Sequence, residues 1–185
     1  MDPKHARILD AAFALFYQHG YRKVSMGEIA QASQMSRPTL YAAFARKDDI
    51  FSALVLRQRD RSERDTAARL PGAIGLAAQL ACLFDIWVVE PAASVIDSPN
   101  GIDMMANCGV YAPQALADIY AALEVHLAAV LAAAMRSEAT MSAADIAYIL
   151  RVATTAIKAS ADSLPALRHV VAGMITMAVA TVQAS

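Results

Sequence analysis

The stretch from Ser25 to Phe44 constrains the fold of this chain most, because it contains two closely spaced helix starts. Ser25 is followed three residues later by Glu28, the pattern of a capping box, so the sequence predicts a helix from this point. Ser36 can cap a second helix, and Pro38 is tolerated in its first turn because an amide there has no helical partner. The residues between the two helices have no regular period and predict a tight turn.

The second of these helices has a polar face and an apolar face. Arg37, Thr39 and Tyr41 lie in its N-terminal half, whereas Leu40 and Phe44 share the apolar side. Two short helices joined by a tight turn form a helix-turn-helix, whose second helix enters the major groove of DNA. The sequence therefore predicts a DNA-reading element near the N-terminus.

With its flanking residues added, this region resembles the tetracycline-repressor (TetR) family of bacterial transcription regulators. The resemblance covers roughly the first 50 residues, and the rest of the chain matches only in length and helical character. The matching positions fall in one register: Ile8, Leu9, Ala12, Phe16, Gly20, Tyr21, Glu28, Ile29, Ala30, Met35, Ser36, Thr39, Leu40, Tyr41, Phe44 and Lys47.

The resemblance implies an all-α protein with two domains. An N-terminal three-helix helix-turn-helix DNA-binding domain is expected over residues 1–47, and a C-terminal helical ligand-binding and dimerisation domain over 48–185. It also implies that Lys47 contacts the DNA backbone. We expect Tyr41 to contact phosphate as well, and Arg37 and Thr39 to reach base edges. The full predicted DNA-binding set is Ser25, Ser36, Arg37, Pro38, Thr39, Tyr41 and Lys47.

Two positions depart from the family pattern. Gln34 stands in the turn where the family usually has glycine, and a left-handed conformation there would cost about 1 kcal/mol. Ala42 and Ala43 stand where bulkier groups often lie beside the groove, which leaves open how many base contacts this helix makes.

Composition and charge agree with a helical protein that has one basic end. The chain is 57% hydrophobic and 18% charged, with few glycines, which favours an all-helical fold. Residues 1–69 contain 12 Lys/Arg and 8 Asp/Glu, a net charge of +4, whereas residues 70–185 contain 4 and 9, a net charge of −5. A basic N-terminal part suits contact with phosphate.

Apolar periodicity predicts helices along the remainder of the chain. Pro91 is expected to interrupt one of them, and the segment from Asp97 to Gly101 reads as a turn. The predicted helices cover residues 4–19, about 46–68, 73–90, 113–136, 143–161 and 166–182, with a loop over 136–141.

The last predicted helix has Arg168 as its single charged residue. Its uncharged run, Val170 to Val182, is expected to be too short to span a bilayer. A helix that is apolar all round must be covered, so we expect a homodimer through the last two helices, arranged as four helices about a two-fold axis. The sequence leaves open which face meets the partner: that of Val171, Met174, Ile175 and Ala178, or that of Gly173 and Met177.

Aromatic and apolar residues from separate segments predict a small-molecule site in the C-terminal domain. Rings give contact area, and a few polar tips give orientation. The negative balance of this part mildly favours a neutral or cationic apolar effector. Ordinary core packing is the alternative for each residue taken alone. The predicted lining is Phe84, Trp87, Met105, Tyr111, Tyr120, Leu123, His126 and Tyr148.

No pattern in the chain indicates catalysis. It has no glycine-rich phosphate loop and no Gly-x-Ser-x-Gly elbow, and its four histidines have no metal-ligand spacing. We therefore expect no enzyme activity, no metal and no cofactor. Cys82 and Cys108 fit no disulfide framework, and no secretion signal is visible at the start, so a cytoplasmic protein is expected.

A second hypothesis is a helical protein-interaction or membrane-surface module whose DNA-binding part is weak or vestigial. The apolar composition and the Ala42–Ala43 pair favour it. Salt-sensitive binding to duplex DNA distinguishes the two hypotheses.

Overall fold

The computed structural model describes residues 2–135, 141–160 and 163–184, without the side chains of residues 157–160. Within these ranges the chain is helical and has no strand, so the all-α prediction is confirmed. The predicted loop over residues 136–141 lies, apart from its last residue, outside the described ranges.

Eleven α-helices follow one another along the described residues. They are α1 (Pro3–His19), α2 (Met26–Ala32), α3 (Arg37–Ala43), α4 (Lys47–Arg69), α5 (Leu76–Phe84), α6 (Glu90–Ala93), α7 (Pro99–Ala106), α8 (Cys108–Tyr111), α9 (Pro113–Ala134), α10 (Ala143–Ser160) and α11 (Leu164–Gln183). Short 3-10 turns cover Tyr21–Lys23 and Leu70–Gly72, and one π turn covers Asp85–Val89.

Polar side chains cap the helix starts as the sequence indicates. The Ser25 side chain accepts a hydrogen bond from the Glu28 amide, and the Glu28 side chain accepts one from the Ser25 amide, so both halves of the predicted capping box are present. Ser36 accepts from the Thr39 amide at the start of α3. At the end of α1, Gly20 adopts φ 85°, a left-handed conformation that glycine reaches without a steric cost.

The structure corrects two predicted breaks. The helical path continues through Pro91, because a π turn at Asp85–Val89 precedes the proline. Proline lacks an amide and its ring clashes with the carbonyl four residues earlier, and the wider π turn relieves this conflict. The predicted turn at Asp97–Gly101 is present only in part: Asp97 and Ser98 lie in a turn, and α7 begins at Pro99, where the Ser98 side chain accepts from the Gly101 amide.

Packing divides the chain into two compact units. The first unit contains Met1–Gln58 and Val95–Ala117, and the second contains Arg59–Ser94 and Asp118–Ser185. This division follows packing alone, and the predicted functional boundary after residue 47 remains a prediction.

In the first unit, α7 packs against α1 and attaches to its C-terminal end. Asn100 Nδ2 donates to the carbonyls of Tyr17 (3.2 Å) and Gln18 (2.8 Å), and the Ser98 hydroxyl donates to the Tyr17 carbonyl. Tyr111 of α8 stacks on Tyr21 with ring centroids 4.0 Å apart. Residues 95–117 are thus part of the same compact unit as the predicted DNA-binding helices.

In the second unit, side chains from α4, α5, the π turn, α9, α10 and α11 form a separate core. Arg151 of α10 binds Glu124 of α9 at 2.6 Å, and Arg168 of α11 binds Asp85 of the π turn at 3.3 Å. The largest fully buried side chains of this core are Phe84, Leu80, Leu83, Ile86, Leu123 and Leu127.

Three helical stretches are long and apolar enough to cross a membrane by length and composition: Leu76–Ala93, Pro113–Ala134 and Leu164–Gln183. The last stretch includes Arg168 and is longer than the uncharged run Val170 to Val182, to which the prediction from the sequence refers. Each stretch also supplies buried side chains to the core of the second unit, for example Leu83, Leu127 and Val171.

Candidate nucleic-acid interface

The helix-turn-helix rests on a small buried core that fixes the angle between its helices. Phe16 of α1, Ile29 of α2, Leu40 of α3 and Ile50 of α4 are all fully buried. Interiors are packed as densely as organic crystals, so helices joined in this way keep one relative orientation. The face of α3 opposite Leu40 is consequently presented as a fixed surface.

That outer face of α3 carries most of the predicted DNA-binding residues. Arg37, Pro38 and Thr39 are exposed, and Tyr41 exposes 51% of its surface although it is a large aromatic residue. The hydroxyls of Ser36 and Thr39 lie 2.7 Å apart in a hydrogen bond. A cation, two hydroxyls and a phenol on one short helix are groups that hydrogen-bond phosphates and base edges.

The capping box at the start of α2 also engages Glu28, the one acidic residue of this helix. Glu28 Oε2 accepts from the amide and the hydroxyl of Ser25, both at 2.7 Å. These hydrogen bonds lower the pKa of Glu28. The carboxylate is thus charged and satisfied by its own cap.

The ammonium group of Lys47 hydrogen-bonds to backbone carbonyls of the first unit. Its Nζ donates to the carbonyls of Tyr21 (2.7 Å) and Val24 (2.8 Å), with the Arg22 carbonyl at 3.5 Å. The ammonium also lies 4.4 Å from the centroid of the Tyr21 ring. Burial lowers the pKa of Lys47. The lysine therefore ties the start of α4 to the loop before α2, and its contact with phosphate remains a prediction.

The turn between α2 and α3 contains a left-handed residue at Gln34, the position where the family usually has glycine. Gln34 adopts φ 56°, and it is the one described non-glycine residue with a positive φ. Arg7 of α1 braces this turn, since its Nη2 donates to the Ser33 carbonyl (3.0 Å) and to Gln34 Oε1 (3.3 Å). No local pattern indicates Arg7, because the contact joins residues 26 and 27 positions apart.

The predicted ligand-binding residues divide between the two units. Met105 and Tyr111 belong to the first, and the other six belong to the second. Tyr111 stacks on Tyr21 and accepts a hydrogen bond from Arg22 Nε at 3.3 Å. Tyr148 exposes 53% of its surface. The role of this set as a ligand site remains a prediction.

Within the second unit, the structure brings Trp87 and His126 together. Their ring centroids lie 5.6 Å apart, and Trp87 Nε1 donates to the Thr66 hydroxyl at 2.8 Å. His126 Nε2 is 2.8 Å from Glu63 Oε2. Phe84 and Leu123 are fully buried, whereas Tyr120 is half-buried. Among the described residues, no group of three His, Cys, Asp or Glu side chains could hold a metal ion.

A capped helix-turn-helix whose second helix is exposed on a three-helix core is the architecture of a bacterial DNA-binding regulator. Residues 8–54 match the family model for bacterial regulatory proteins of the tetR family. Over these residues the chain therefore has the sequence pattern of the TetR family.

Individual relatives agree with this assignment. The transcriptional repressor ComR of Escherichia coli (strain K12) is 32% identical over 110 residues, which are 57% of this chain and 50% of ComR. The regulator AcrR of Shigella flexneri is 45% identical over 47 residues, which are 25% of this chain and 22% of AcrR. The chain thus spans half or less of the length of these curated relatives. Their names are those of transcription regulators, in agreement with the expectation that the chain is not an enzyme.

A solved structure has the same fold over the whole chain. Salmonella enterica GusR superimposes with a TM-score of 0.71 and covers 99% of this chain and 98% of its own, at 21% sequence identity. Likeness at this level of identity concerns the fold alone.

Proposed function

We propose that the protein is a cytoplasmic regulator of transcription that binds duplex DNA and represses until an apolar small molecule releases it. The observation that carries this proposal is the outer face of α3. Arg37, Thr39 and Tyr41 are exposed there, while Leu40 on the same helix is fully buried. A reading helix needs this combination of a fixed inner face and a free polar outer face.

The proposed operator is a near-palindrome recognised by a homodimer. A two-fold dimer presents two reading helices, so its site contains two half-sites about one helical turn or a multiple of it apart. Support for dimerisation comes from α10 and α11, whose outer faces carry exposed apolar side chains that are unusual for a monomer: Tyr148, Ile149, Val152, Val170 and Met177.

The proposed effector would act on the second unit, where Trp87, His126 and Phe84 supply rings and polar tips. A ligand releases DNA only by binding the low-affinity conformation more tightly. Reciprocity then requires that DNA weaken the binding of that ligand by the same factor. A compound that raises the melting temperature of the free protein and leaves DNA affinity unchanged would not be such an effector.

The decisive experiment is a salt titration with fluorescent duplex DNA. We expect binding to a duplex selected by the protein from a random library, with affinity that falls as salt rises at a slope of about −0.9 per phosphate contacted. A scrambled duplex of the same length is the control, and it should bind at least about 1000-fold more weakly. Equal and salt-insensitive binding to both duplexes would favour the alternative, a helical protein-interaction module with a vestigial DNA-binding part.

A further inference from the structure

Gly27, in the first turn of α2, lies directly against the guanidinium group of Arg37. A Cβ atom placed on Gly27 would lie 3.0 Å from Arg37 Nη2, 3.5 Å from Cζ and 3.6 Å from Nε. Three atoms of the guanidinium group therefore cover the space that a side chain would occupy. Arg37 is the first residue of α3, so this contact joins the starts of the two helices of the helix-turn-helix.

The guanidinium group lies against Gly27 and is otherwise unpaired among the described residues. Arg37 is exposed, and it forms no hydrogen bond or ion pair with any residue that the structure describes. Glu28, the acid next to Gly27, is engaged by Ser25 through its capping box. The arginine thus keeps its N–H donors available for a partner outside the chain.

The backbone of α2 does not itself require a glycine at this position. Gly27 lies inside the helix and its φ is not positive, so an alanine would fit the backbone. Alanine favours a helix more than glycine does. A Cβ atom on residue 27 would instead shift the guanidinium group of Arg37 from its position by a few tenths of an ångström.

We propose that Gly27 is a specificity-determining positioning residue, whose missing side chain forms the seat that orients Arg37 toward a guanine in the major groove. Arginine donates two hydrogen bonds to the O6 and N7 atoms of guanine, and this pair discriminates only when the guanidinium plane is correctly oriented. The inference rests on the proposed DNA-binding function. It adds that each half-site contains a guanine read by Arg37 and that the reading depends on Gly27.

The test is a double-mutant cycle of Gly27→Ala and Arg37→Ala on the full chain. The probe is the duplex enriched by the wild-type protein from a random library. Arg37→Ala should weaken binding to it by about 5- to 100-fold and flatten the preference for guanine at one position of each half-site. Gly27→Ala should weaken binding at least about 3-fold and flatten the preference at that same position. In the Arg37→Ala background, Gly27→Ala should have less than about a 2-fold effect, because the two residues act through one group.

Two controls separate this role from an effect on folding. The melting temperature of Gly27→Ala should equal that of the wild type or exceed it by up to about 3 °C, since alanine favours the helix. Gly72→Ala is the matched variant, because a Cβ atom there would meet nothing within 4 Å, and it should leave DNA affinity unchanged.

The outcomes distinguish failure of the inference from failure of the proposed function. If the wild type enriches a sequence and Gly27→Ala binds it with the same affinity and base preference, the inference is wrong and the proposed function stands. An undiminished effect of Gly27→Ala in the Arg37→Ala background would also overturn it, because Gly27 would then act by direct approach to DNA. If the wild type enriches no sequence, both proposals fall.

Discussion

At the scale of one residue, Lys47 is predicted to contact DNA, and it also stabilises the fold through its own hydrogen bonds. Its ammonium donates to the carbonyls of Tyr21 and Val24, which lie in the loop before α2. Lys47→Met keeps the aliphatic length but removes these donors and leaves partly buried carbonyls unsatisfied. We expect the free energy of unfolding to fall by about 1–2 kcal/mol, measured by urea denaturation.

Lys23→Met is the matched control, since Lys23 is exposed in the same loop and its loss should change stability by less than about 0.5 kcal/mol. The predicted phosphate contact has its own readout. Loss of one contact lowers the salt slope of DNA binding by about 0.9. A lower stability with an unchanged slope would assign Lys47 to the fold alone, and an unchanged stability would contradict the structural role.

Gln34 illustrates what sequence reasoning reaches at this scale. The family pattern identified it as the position where a left-handed conformation would be needed, and its φ of 56° is left-handed. The brace from Arg7 was not predictable, since a long flexible side chain can reach many carbonyls and only the folded arrangement of α1 selects one. Gly27 gave no signal either, because its role depends on where the Arg37 side chain comes to rest.

At the scale of elements, α7 caps the C-terminal end of α1 through Asn100. The Asn100 amide group donates to two carbonyls that have no partner within their own helix end. Asn100→Ala should therefore lower the free energy of unfolding by about 1 kcal/mol in urea denaturation. Asn107→Ala is the control, because Asn107, the residue after α7, bonds through Nδ2 only to Asp103 of α7, and its loss should cost less. Equal losses for the two variants would mean that the link to α1 adds nothing.

Element positions were predictable where the signal is local. The capping box at Ser25, the cap at Ser36 and the glycine stop at Gly20 place the first helices within a residue or two. The error at Pro91 and the error over Pro99–Gly101 share one cause, namely that proline stops a helix or starts one according to its surroundings. A π turn before Pro91 and a serine cap before Pro99 decide these cases, and neither follows from the proline itself.

At the scale of the whole molecule, burial separates the two faces of α11 that the sequence left open. Val171, Met174 and Ala178 are buried within their own unit, so they are not available to a partner. Val170 and Met177 are exposed, and Gly173 has open space where a side chain would be. The proposed dimer contact therefore uses the Gly173–Met177 face together with the exposed apolar residues of α10.

This assignment predicts that a charge on the exposed face of α11 breaks the dimer without unfolding the chain. Met177 exposes 65% of its surface in the single chain, so Met177→Asp should leave the fold intact. An unpaired carboxylate buried between two subunits costs several kcal/mol, which is enough to shift a micromolar protein to monomer.

Ile74→Asp is the matched control, because Ile74 is 86% exposed but lies outside α10 and α11, and it should remain dimeric. Sedimentation velocity at micromolar concentration measures both variants. The Met177→Asp monomer should also bind a full operator more weakly than the wild type, because it engages one half-site at a time. A wild-type protein that sediments as a monomer, or a Met177→Asp variant that stays dimeric, would remove this face of α11 as the interface.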